Sequence, residues 1–152
     1  IIPKLKEKYG ERLDLRLIGY PLVHEESRLP ARAYVIAQEM GLEEQMQKEL
    51  FHAYFEQQLN TSSKDGLAKV AHSVGLDPEL LLSRLEKNDG STEVDRNLAL
   101  GQSYHIDAVP GVVLDGWILV KELSPQNLET IINGLLEKKK TTPKVTPKKP
   151  QK

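Results

Sequence analysis

Apolar residues at Ile1, Ile2, Leu5 and Tyr9 recur among lysines at helical spacing, and Gly10 suits the end of that helix. Pro3 fits a first helical turn or a kink. Leu13, Leu15 and Leu17 then alternate with Asp14, Arg16 and Ile18, which predicts a short strand closing near Gly19-Tyr20-Pro21. A run of helices follows. Leu29, Ala33, Ile36, Ala37 and Met40 share one face, with Gly41 as terminator; Met46, Leu50, Tyr54 and Leu59 mark a second helix. Ser63 caps a third, with Leu67, Val70, Ala71 and Val74 inside and Gly75 at its end. Asp77-Pro78 opens a fourth containing Leu81 and Leu85, and Ser91 caps a fifth containing Val94, Leu98 and Tyr104.

After Ile106 the period changes. Val112 to Leu114 and Trp117 to Val120 read as two strands joined at Asp115-Gly116, a two-residue hairpin signal. Ser124-Pro125 caps a last helix with Leu128, Ile131, Ile132, Leu135 and Leu136 on one face. Tyr54 and Phe55 are expected to fill the core of the helical stretch, and Trp117 to pack on the sheet.

At 152 residues and 39% hydrophobic, the chain has the size of one domain with a core of its own. It contains no cysteine, which excludes a disulfide framework, a thiolate metal site and a cysteine nucleophile within these residues. The net charge of −1 conceals an asymmetry: residues 138–152 hold seven Lys, three Pro and no acid, leaving 14 basic and 22 acidic residues before them. A body near −8 disfavours nucleic acid; residues 138–152 carry about +7, and the tail over 139–152 is expected to be a disordered, solvated extension. No apolar run is long enough for a transmembrane segment. The start Ile1-Ile2-Pro3, without Met, is expected to be a cut.

Four stretches together resemble the DsbA-like thiol-disulfide oxidoreductases, an α/β thioredoxin fold with a helical insertion. "IIPKLKEKYGERLDLRLI" resembles the kinked first helix and second strand. "YPLVH" resembles the loop leading into the insert. "LALGQSYHIDAVPGVVLDG" resembles the last insert helix, the cis-proline loop and the hairpin, and "LSPQNLETIINGLLEK" the closing helix. The likeness spans 1–138, with the insert over about 24–104. It implies that a first strand and a Cys-x-x-Cys are absent from this chain and would lie roughly ten residues before Ile1, so that no catalytic residue is present here. Without that central strand, the 13–18 and 112–114 strands would not meet. The sheet would then need another segment, supplied by the rest of a longer chain, a dimer or strand exchange.

The resemblance also assigns substrate binding to Val109, Pro110 and Gly111, with a cis bond at Pro110 and an extended client laid against the Val109 backbone. From the residues alone, a trans proline opening a strand is the better reading. Gly111 departs from the larger residue common after this proline. His24, after "YPLV", reads from the residues as a surface histidine at a helix start, whereas the resemblance places it near the active-site face, where it could tune a cysteine. Implied partners are client proteins with thiols or disulfides and a redox partner; no cofactor is implied, and a site outside the cytoplasm is favoured. Kappa-class glutathione transferases and 2-hydroxychromene-2-carboxylate isomerases are similar in fold, and a redox-inactive binding module is the third reading. His52, His72 and His105 lack metal-ligand spacing, so no metal is expected, and no phosphate loop or serine elbow occurs.

Overall fold

A computed structural model describes residues 1–21 and 25–141. The chain divides into two units, a sheet unit of 1–15 and 110–152 and a helical unit of 16–109.

The sheet unit begins with helix α1, Ile2–Tyr9, whose proline sits in the first turn, where its missing N–H costs nothing. Gly10 follows with φ +53° and a 3₁₀ turn runs to Arg12. Strands β1, Val112–Leu114, and β2, Ile118–Val120, pair antiparallel with Val113 opposite Leu119. Helix α7 spans Pro125–Thr141, and the Ser124 hydroxyl accepts the Asn127 N–H at its start. Leu5, Tyr9, Val120, Leu128 and Ile132 form the buried cluster, with Leu13, Val112, Leu114 and Ile118 packed around it. Lys8 donates to Glu129, and the Tyr9 hydroxyl donates to Asn133, so polar bonds fasten α1 to α7 at the rim.

The helical unit contains α2 (Arg28–Glu39), α3 (Glu43–Phe51), α4 (Lys64–Ser73), α5 (Pro78–Glu86) and α6 (Ser91–Ser103). Ser63 accepts the Gly66 N–H and Asp77 accepts those of Glu79 and Leu80, so α4 and α5 start where their caps dictate. Ile36, Met46, Leu67, Val70 and Leu81 interlock in a single core.

Seven sequence expectations are corrected. Residues 13–18 form no strand: Leu13 is extended, but the only described sheet is the two-stranded hairpin, and a strand without a partner has no ladder. Tyr54 and Phe55 are not core residues. After α3 the chain widens into a π turn over His52–Glu56, in which the Gln57 N–H reaches the His52 carbonyl. Ala53, not Tyr54, takes the buried position, and Tyr54 and Phe55 lie 58% and 67% exposed. Trp117 is 67% exposed in the hairpin turn instead of packing on the sheet. Leu114 pairs with Ile118, so three residues connect the strands, with Asp115 and Gly116 both at positive φ. Met40 caps α2 and is exposed, and Gly90, not Ser91, is the N-cap of α6. The last helix also runs through Thr141, past the boundary expected at 138, and Lys139 near its end donates to Asp115 in the hairpin turn.

Candidate functional site

The approach to Val109 is built by the C-terminus of α6. The Ile106 N–H bonds the Gly101 carbonyl and the His105 N–H bonds the Gln102 carbonyl, the paired bonds of a Schellman motif. The same pairing ends α2, α4 and α5, where the left-handed residue is Gly41, Gly75 or Asn88. At α6 that position is His105, with φ +53°, a conformation that strains a residue with a Cβ.

The loop is anchored from a second side within the helical unit. The Tyr20 hydroxyl donates to the Ile106 carbonyl at 3.4 Å, and the buried Asn97 amide donates to the Gly19 carbonyl at 3.1 Å. Gly101 makes this possible, since a Cβ there would overlap the Tyr20 ring. Gly19 in turn lies against the Tyr34 ring. Burial first, and the charge of Glu43 second, push the Tyr34 phenol above its ordinary value, so it stays neutral. The segment before residue 22 is thus clasped onto α6 by Asn97, Gly101 and Tyr20. Sequence reading placed none of these in a functional role; a glycine and an asparagine inside a helix were the available signal.

Val109 is the last residue of the helical unit, 55% exposed, and Pro110 and Gly111 are exposed residues leading into β1. The three are consecutive, with Val112 behind them already paired to Val120. His24 lies outside the described residues. Among the described residues no group of three or more His, Asp or Glu could hold a metal ion. No described helix is long and apolar enough to cross a membrane. Exposed backbone ahead of a strand can take up an extended peptide by adding main-chain hydrogen bonds.

A model of the family described as DSBA-like thioredoxin domain matches residues 2–133. No curated protein is similar enough to the chain to count as a match.

Proposed function

The chain belongs to the DsbA-like thioredoxin family, and we propose that it is the body of a protein thiol-disulfide oxidoreductase whose redox cysteines lie outside these 152 residues. The observation that carries the reading is the exposed Val109-Pro110-Gly111 loop at the entrance to β1, in a chain matched to the family over both units. In this reading Val109 offers its backbone to an extended client, Pro110 holds the loop through a cis bond, Gly111 leaves room beside it, and His24 tunes a redox cysteine. A thiolate at a helix N-terminus attacks the client disulfide, releases one client thiolate and forms a mixed disulfide; a second protein thiolate attacks the protein sulfur of that bond, expels the other client thiolate and leaves a protein disulfide, which the redox partner reduces, the same steps running in reverse for client oxidation. Clients with thiols or disulfides and a separate redox partner follow, acting outside the cytoplasm. An additional strand would give β1 a second neighbour in the sheet.

The test is to read the residues that precede Ile1 in the coding sequence. The chain would then be assayed with them for exchange on a peptide disulfide. A strand followed by Cys-x-x-Cys, with exchange lost when either cysteine becomes Ser, is the expected result. A lone Ser or Cys there, with retention on immobilised glutathione, would replace the proposal with a kappa-class transferase or isomerase. An upstream segment with neither, and no exchange, would leave a redox-inactive binding module.

A further inference from the structure

The π turn that follows α3 leaves three aromatic side chains in water. Phe51 stacks on Phe55 with centroids 5.7 Å apart and planes at 21°, and Tyr54 meets Phe55 edge-on at 4.9 Å. All three are more than half exposed. An open depression of about 380 Å³ lies beside them, lined by Gln47, Lys48, Phe51, His52, Phe55 and Glu56. Aromatic rings gather in this way beneath a covering surface; left in water they favour aggregation.

We propose that this patch binds an extended apolar segment of an unfolded client protein, a contact separate from Val109-Pro110-Gly111. The proposal rests on the client-binding reading above. Size selects the occupant. With ~200 Å² per ring side chain, the exposed parts of the three amount to about 370 Å². A stable dimer of this chain would need about 800 Å² on each copy, more than twice as much. A few aliphatic side chains of one extended segment cover the rings and fill the depression. The chain's own tail does not suit: residues 142–152 hold one aliphatic side chain, Val145, among lysines, prolines and threonines. The rim carries both signs, Lys48 beside Glu56, with His52 3.1 Å from Glu56. The polar edge therefore selects neither acidic nor basic segments, as a surface for many different clients requires.

The test uses the whole chain and a fluorescein-labelled dodecapeptide of alternating Leu and Ser, followed by anisotropy, with a Gln-for-Leu peptide as control. The Leu peptide should bind and the Gln peptide should not. Phe51→Ser, Tyr54→Ser and Phe55→Ser combined should weaken binding about tenfold or more, while Trp117→Ser, removing an exposed aromatic elsewhere, should leave it unchanged. Phe55→Asp alone carries the test if the triple variant loses its helical circular dichroism. Equal affinity in wild type and variant, absence of binding by the wild type, or equal loss in Trp117→Ser would overturn the proposal. So would sedimentation showing that the triple change turns a dimer into a monomer. Neither peptide contains sulfur, so this binding and disulfide exchange can fail separately.

Discussion

Twelve buried residues form the core of the helical unit, and eight of them have no exposed surface. The sheet unit has five, each keeping 3–6% of its surface in contact with water. In the helical unit α2, α3, α4 and α5 all contribute side chains to that one core. The sheet unit folds two helices against a hairpin of three-residue strands, and an isolated two-stranded sheet is marginal in water. A helix satisfies its backbone by itself and needs only something to lie against. A strand must be given its hydrogen bonds by a neighbour, so a short sheet loses core and ladder together.

The largest effect should separate the two cores. Leu81→Ala removes a side chain with no exposed surface from the middle of the helical unit and should cost about 3–4 kcal/mol. Leu128→Ala, in the looser cluster, should cost about 2 kcal/mol because water and neighbours can relax into the gap. Urea unfolding followed by circular dichroism gives both values. Equal losses would mean that the sheet unit is packed as tightly as the helical one, against the comparison.

Next in size is the clasp inside the helical unit. Gly101→Ala drives a methyl into the Tyr20 ring and should cost about 1–3 kcal/mol. Placed in a Tyr20→Ala background, the same change should cost almost nothing, since the overlap is gone. Additive losses in the four-variant cycle would show that Gly101 is required for the helix and not for the contact.

What the sequence told in advance follows the same division. The starts of α4, α5 and α7 were legible at Ser63, Asp77-Pro78 and Ser124-Pro125, because a cap is a local bond between near neighbours. The alternation of Leu13, Leu15 and Leu17 reports only which side chains could face a core; whether a ladder forms depends on a partner elsewhere. Tyr54 was misplaced for another reason. Helical spacing assumes an unbroken 3.6-residue turn, and the π turn at His52–Glu56 replaces it with a wider one that buries Ala53. At the candidate site, Val109 to Gly111 could be singled out through the family resemblance. The Asn97–Gly19 and Tyr20–Ile106 bonds could not, since they join residues 78 and 86 positions apart.

A smaller effect tests the strain at the end of α6. His105 holds the left-handed position that Gly41 and Gly75 hold at the ends of α2 and α4. His105→Gly should therefore stabilise the helical unit by about 0.5–1 kcal/mol, the relief of a Cβ in that conformation less the extra freedom of glycine when unfolded. Gly75→Ala, the reverse exchange, should destabilise by about 1 kcal/mol. If both changes lower the melting temperature, the His105 side chain contributes a contact worth more than its strain.

The smallest effect lies on the surface of the sheet unit, where Lys139 of α7 donates to Asp115 in the hairpin turn at 2.7 Å. That hydrogen bond, with the lysine's charge, holds the Asp115 carboxyl below its ordinary value of 3.8. A depressed carboxyl stabilises the fold above its unfolded value, and the contribution is lost as pH falls through the lower, folded value. Carbon-detected NMR should find the Asp115 midpoint below 3.8, and Lys139→Ala should move it upward. Both groups face water, so salt should erase most of the difference. Glu86, held below its ordinary value by Lys64 in the helical unit, provides the matching control. Lys139→Ala should loosen amide exchange in the hairpin, where two three-residue strands share a single ladder. Lys64→Ala should leave exchange in α5 unchanged, because Leu81 and Leu85 already anchor that helix. Equal responses in the two units would mean that the hairpin does not depend on its surface pair.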